Sequence, residues 1–228
     1  MFPLYDQNPT RIFPVVTITF IAANILAFLY QLSLGSNGSF LVASYGMVPY
    51  ELTHFRDIHP KIGLPIQVTV FTSMFLHGGF IHVGGNMLYL WIFGNNIEDA
   101  LGHTRFIVFY LVCGILASLT QTFTEPDSRI PMIGASGAIS GILGAYLILY
   151  PKAKVMTLII FFFFIRLVPI PAVVVLGFWI LLQVLNGTQT APGEGGVAYF
   201  AHIGGFVAGL ILILILKKQG YKGKWFSK

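Results

Sequence analysis

Ser136 lies between two glycines in Gly134-Ala135-Ser136-Gly137, where an apolar run toward Tyr146 begins, and His202 lies near the start of another apolar run that ends at Leu216. A serine becomes a nucleophile when a base accepts its proton, and histidine is the usual base. His82 and Asn86 are four positions apart, so they share one helix face, and both are side-chain donors of the kind that can hold an oxyanion. The backbone N–H of Ser136 is a third donor, because first-turn amides have no intrahelical partner. No acid is placed to complete a triad. Glu98 and Asp99 fall at the far end of the span that carries Asn86, and the other acids lie in loops or near the N-terminus. The expected catalytic unit is therefore a Ser136–His202 dyad, and the expected chemistry is acyl transfer.

These groups must be positioned in an apolar medium. Hydrophobic residues make up 56% of the chain and charged residues 9%, and the mean hydropathy is +0.80. Soluble domains carry about 25% charged residues. This chain could not cover a water-facing surface, so a bilayer is its solvent. A helical span needs about 20 mostly apolar residues. Six stretches qualify: about 12–34, 80–97, 105–123, 133–150, 170–186 and 197–216. The expected fold is an all-α membrane protein, a six-transmembrane-helix bundle forming one domain over residues 1–228 with no separate soluble domain. Residues 35–79 are too polar to span, yet "VTVFTSMFL" (68–76) is too apolar for a solvated loop. They predict a large membrane-embedded loop with short interfacial helices. The run "VMTLIIFFFFIRL" stops at Arg166 and Pro169 and reads as an interfacial or partly buried connection; a seventh span is the competing reading.

With six spans both termini share a side. That side collects ten of the 13 basic residues: Arg11, Arg105, Lys152, Lys154, Arg166, Lys217, Lys218, Lys222, Lys224 and Lys228. Only Arg56, Lys61 and Arg129 fall opposite. Positive charge stays cytoplasmic, so both termini are expected in the cytoplasm, in a bacterial plasma (inner) membrane. The net charge of +5 then reports orientation and contact with anionic membrane lipids, not nucleic acid. Cys113 is the single cysteine; it permits no disulfide and reads as a buried filler. No cleavable signal peptide is expected, because the first apolar run is too long for one.

On this topology Ser136, His202, His82 and Asn86 come from three spans and fall at similar depth in the outer half of the bilayer. Polar groups there are costly and are functional candidates by default. Gly137 and Gly141 in span four, and Gly205 and Gly209 in span six, form small-xxx-small pairs that let backbones approach closely. His202, Gly205 and Gly209 share a face, so close packing of spans four and six would bring His202 to Ser136. Taken alone, the glycines read simply as packing residues. A lone membrane serine usually bonds a backbone carbonyl, and for Ser140 that reading is preferred over a bond to His202.

In combination these residues resemble the rhomboid family of intramembrane serine proteases. "GASG" (134–137) matches its nucleophile motif, "AHIGGFVAG" (201–209) its histidine motif, and "HGGFIHVGGN" (77–86) its His-x4-His-x3-Asn pattern. The resemblance implies Ser136 as nucleophile, His202 as general base, and His82 and Asn86 as oxyanion-hole side chains. It also implies His77 as a supporting residue and, from "GNNIEDALGHTRF" (94–106), Glu98 as a structural acid. Transmembrane protein substrates, cut near the outer face, follow by the same implication, with no cofactor and no metal. Where some members have Trp-Arg in the first loop, this chain has Val68-Thr69, and where some have Tyr four residues past the nucleophile it has Ser140. The rivals are a zinc hydrolase using His77, His82 and His202 and a catalytically inactive scaffold. His54, His59 and His103 read as solvated loop residues, Trp91 and Trp179 as packing or belt aromatics, and Phe161 to Phe164 as an interfacial anchor. The loop at 187–196 reads as a mobile cap and span five as a lateral gate.

Overall fold

Pro14 fixes the start of the first long helix, and that helix has to find its N-terminal hydrogen bonds elsewhere. In a computed structural model, which describes residues 2–59, 65–161, 164–190, 195–218 and 221, a strand β1 (Phe2–Asp6) precedes α1 (Val15–Ser33). Pro14 has no side-chain group to cap α1. The Glu98 carboxylate does so instead: Oε1 accepts from the N–H of Val16 at 2.9 Å, and Oε2 from the N–H and Oγ1 of Thr17 at 2.8 and 2.6 Å. His103 Nδ1 closes on Oε1 at 2.6 Å. His103 is therefore not simply solvated, as expected from sequence, but holds the acid that seats α1. Glu98 is fully buried. Removing it orphans two amides, so Glu98→Ala is expected to cost about 2–3 kcal/mol. Chemical unfolding in detergent measures this; a loss under about 0.5 kcal/mol would refute the assigned role.

After α1 come α2 (Gly38–Tyr45), α3 (Pro49–His54) and α4 (Thr69–Thr72), short helices of the large loop between the first two spans. Val70, Ser73 and Met74 are buried, so this loop packs into the protein. His54 ends α3 and is not a loop residue; it stacks on Tyr50 and lies 3.5 Å from Asp127. A continuous helical run follows: α5 (Phe80–Tyr89), a π-helical turn (Leu90–Gly94) and α6 (Asn95–Leu101). It bends by 82° from the Ile66–Phe75 helices. Then come α7 (His103–Thr124) and α8 (Ser136–Leu149). Two strands, β2 (Lys154–Phe161) and β3 (Phe164–Pro171), lead to α9 (Ala172–Gln189) and α10 (Tyr199–Leu216).

Among the described residues four helices, α1, α7, α9 and α10, are long and apolar enough to cross a membrane, and a fifth span is counted if the bent pair is one. α8 has only 14 residues, about 21 Å of helix against a hydrocarbon core of about 30 Å. From Ala138 to Tyr146 it is buried without a break, as befits a helix that is apolar all round. α10 packs mainly on α8 and α7. A Cβ at Gly209 would overlap the carbonyl of Gly141, and one at Gly205 the carbonyl of Gly137. Both glycines of span four turn toward α7: a Cβ at Gly137 would meet Ala117 Cβ at 2.7 Å, and one at Gly141 would overlap buried Cys113, with the Gly205 carbonyl of α10 next at 3.2 Å. Gly137 thus opens its own surface to α7 rather than to α10.

The run after α8 refines the sequence reading. It is not a seventh helical span but a partly buried connection built as an antiparallel hairpin, with Val155 opposite Ile170 and Ile160 opposite Ile165. β1 adds on the far side, Phe2 opposite Leu158. β-branched residues favour strands, and Pro169 and Pro171 exclude a helix. Phe162 and Phe163, in the run expected as an anchor, lie outside the described residues, as do the side chains of Phe161 and Phe164. β1 is anchored by Asp6, whose Oδ2 accepts from Tyr146 Oη at 2.6 Å and from Asn96 Nδ2 at 2.9 Å. Burial pushes the Asp6 carboxyl from 3.8 up to about 6, against those bonds, which favour the ionised form. The folded protein therefore holds this proton where the unfolded chain has released it. The contribution is complete below pH about 4 and is lost as pH rises through about 6. The midpoint of thermal unfolding should fall relative to that of Asp6→Asn over that window; a pH-independent difference would count against it.

Candidate active site

Helices α5, α7, α8, α9 and α10 and the loops at their ends converge on a cavity of about 1060 Å³. Ser136 is the first residue of α8, and His202 stands in the first turn of α10. The two are in contact, His202 Nε2 to Ser136 Oγ at 2.8 Å. The helices can come this close because Gly205 and Gly209 present no side chain to α8. Ala201 N–H, in the same first turn, donates to Gln121 Oε1 of α7 at 3.1 Å, which holds the start of α10 in place.

Opposite the dyad stand His82 and Asn86, one turn apart on α5. Gly78 N–H donates to His82 Nδ1 at 3.2 Å. Nδ1 is therefore the acceptor nitrogen, and in the neutral ring the proton sits on Nε2. That nitrogen faces Gly134: a Cβ there would lie 2.7 Å from His82 Nε2 and 3.5 Å from Asn86 Nδ2. Gly134 has φ +118°, a conformation for which glycine is suited, and its N–H is tied to the Ser73 carbonyl at 2.8 Å. Asn86 Nδ2 is buried and has no hydrogen-bond partner among the described residues. Buried donors are normally paired. A ring N–H and an amide N–H thus converge beside Ser136 in a wall left open by a missing Cβ.

The other sequence candidates fall around this centre. His77 is fully buried, its ring edge-on to His82 at 5.1 Å. Its backbone is clamped by Gln31 of α1, which donates to the His77 carbonyl at 2.8 Å and accepts from its N–H at 3.3 Å. Ser140 donates to the Ser136 carbonyl at 2.6 Å and does not reach His202. Glu98 lies at the base of α1, away from the cavity lining. No three His, Cys, Asp or Glu side chains among the described residues are grouped to hold a metal ion, so His77, His82 and His202 do not form such a set. Gly187, Thr190, Gly196 and Val197 line the cavity mouth; residues 191–194 of the expected cap lie outside the described residues.

One group on α9, Gln183, was missed, and a second, Trp179, was read only as a packing or belt aromatic. Gln183 Oε1 lies 2.8 Å from His202 Nδ1, and the Trp179 ring packs on the imidazole at 5.7 Å between centroids. Trp179 is a packing aromatic, as expected, but it packs on the site itself. A signal existed: Gln183 is a polar side chain inside an apolar span, one turn from Trp179, and such residues are functional candidates.

The family profile described as Rhomboid domain matches residues 67–219. Among similar curated proteins, Rhomboid protein 1, mitochondrial, of Saccharomyces cerevisiae is 32% identical over 176 residues, 70% of this chain and 47% of that protein. Rhomboid-like protein 11, chloroplastic, of Arabidopsis thaliana is 24% identical over 80% of this chain and 66% of its own length. Rhomboid protease GluP of Bacillus subtilis is 34% identical over 59% of this chain and 24% of its own length. The chain thus spans from about a quarter to two thirds of the length of these relatives. With the profile covering most of its helical bundle, the chain is an integral membrane protein that belongs to the rhomboid family.

Proposed function

We propose that this chain is an intramembrane serine endopeptidase that cuts transmembrane segments of membrane protein substrates near the outer face through a Ser136–His202 dyad. The observation that carries the reading is the 2.8 Å contact between Ser136 Oγ and His202 Nε2, beside an unpaired Asn86 Nδ2. Ser136 Oγ attacks the peptide carbonyl carbon while Nε2 takes its proton, and the carbonyl electron pair moves onto oxygen. His82 Nε2–H, Asn86 Nδ2–H and the Ser136 amide receive that oxyanion. As the C–N bond breaks, the proton passes from Nε2 to the leaving nitrogen. Water, giving its proton to Nε2, then attacks the acyl-enzyme; Ser136 leaves and recovers its proton. His77, Gly134, Gly137, Gly141, Gly205, Gly209 and Glu98 support this geometry without touching substrate.

The reading includes a single six-span domain in which α8 and the α5–α6 run complete the bundle, with both termini on the basic, cytoplasmic side of a bacterial plasma membrane. Membrane lipids cover the exposed apolar flanks of α1 and α10, where Leu26 and Ile215 stand out. The test is reconstitution with a generic single-span substrate, alongside labelling by a fluorophosphonate, which reacts with activated serines. The expected result is cleavage, labelling at Ser136, and indifference to chelators. Cleavage that a chelator stops and Ser136→Ala preserves would replace the dyad by a metal centre. An unlabelled, uncleaving wild type would favour an inactive scaffold.

A further inference from the structure

His202 can act as a base toward Ser136 only if Nε2 carries a lone pair, which requires the ring proton on Nδ1. The partner of Nδ1 therefore decides whether the dyad is poised. That partner is the amide of Gln183, on α9, buried with 8% of its surface exposed. An amide offers either an oxygen or an NH2, so its own orientation has to be fixed in turn. The same side chain fixes it: Gln183 Nε2 donates to the backbone carbonyl of Trp179 at 3.1 Å. A carbonyl oxygen only accepts, so the NH2 must point there and Oε1 must point to His202. Reversing the amide would set two acceptors against each other at Trp179 and turn the ring proton onto Nε2, facing the Ser136 hydroxyl.

We propose that Gln183 is the positioning residue of the dyad: anchored on the Trp179 carbonyl, it holds His202 as the Nδ1–H tautomer and turns Nε2 toward Ser136. The proposal rests on the serine protease reading above and adds a third member to it. A neutral amide suits the setting. A carboxylate buried between membrane helices would cost several kcal/mol unless fully paired, whereas an amide gives direction without charge. Trp179 completes the seat by covering the ring it also helps to aim.

The test uses the full chain with a single-span substrate and Ser136→Ala as the inactive reference. Gln183→Leu keeps the volume and removes the acceptor; Gln183→Glu, as the uncharged acid, keeps a carbonyl acceptor for Nδ1–H and an O–H donor for the Trp179 carbonyl. Gln183→Leu is expected to lower kcat about 10- to 100-fold, the scale of one lost buried hydrogen bond, with KM changed less than about threefold. Gln183→Glu should recover most of that loss. Independently, nitrogen NMR of histidine-labelled wild type should report His202, assigned through His202→Ala, as protonated on Nδ1 at neutral pH. A ring protonated on Nε2, full kcat in Gln183→Leu, or equal damage in Leu and Glu variants would overturn the assignment. The NMR arm needs no Gln183 variant to fold. A wild type that cleaves no better than Ser136→Ala would sink the protease reading instead, whatever the tautomer.

Discussion

Ser136→Ala is expected to lose at least about 10⁴-fold in kcat, His202→Ala nearly as much, and the double variant no more than either alone. Catalytic groups that act as one unit behave this way, because the nucleophile is weak without its base and the base has no task without the nucleophile. Here the unit is a single hydrogen bond, His202 Nε2 to Ser136 Oγ at 2.8 Å. Neither substitution should unfold the protein. Ser136 stands at the free first turn of α8, and the closeness of α8 to α10 depends on Gly205 and Gly209, which both variants retain. Fluorophosphonate labelling should vanish in both, since the reagent needs a serine that can give up its proton. Single-turnover cleavage with a reconstituted single-span substrate reads the effect. Additive losses, or His202→Ala within tenfold of wild type, would mean that another group takes the proton.

Much of this centre was legible because the medium makes polarity conspicuous. In a chain with 9% charged residues, a serine, two histidines and an asparagine inside apolar runs stand out, and topology alone brings them to a similar depth. The Gly205–Gly209 spacing marks the face of α10 that meets α8, whereas the Gly137–Gly141 pair opens mainly toward α7. The remainder depended on pairings far apart in sequence. Glu98 caps α1 across 82 positions, to Val16, and a helix that begins at Pro14 gives no local hint of where its cap is. β2 and β3 were hidden because their run is apolar on both faces, so the alternation that marks a half-buried strand is weak. Their third strand lies near the other end of the chain. Gln183 was different. It was visible, but span five was read for bulk apolarity, and a lone amide was passed over.

Asn86→Ala is expected to lower kcat about 10²- to 10³-fold with little change in KM, the range found when one preorganised oxyanion donor is removed. The expectation rests on an otherwise uneconomical feature of the fold. Asn86 Nδ2 is buried without a partner among the described residues, and such a group costs about 1–3 kcal/mol. A donor kept unpaired in the resting protein is free to meet charge that appears only in the transition state, which raises kcat without tightening ground-state binding. Asn86→Asp sharpens the test, because it keeps the shape and replaces the donor with an acceptor. It should be at least as impaired as Asn86→Ala, with its folded fraction checked by thermal unfolding, because a buried carboxylate also lowers stability. Gly134→Ala should converge on the same defect from the other wall. Its Cβ would meet His82 Nε2 at 2.7 Å, in a backbone conformation at φ +118° that disfavours any side chain. Wild-type kcat in Asn86→Asp would remove this amide from the oxyanion site and leave its buried, unpaired state without a catalytic reason.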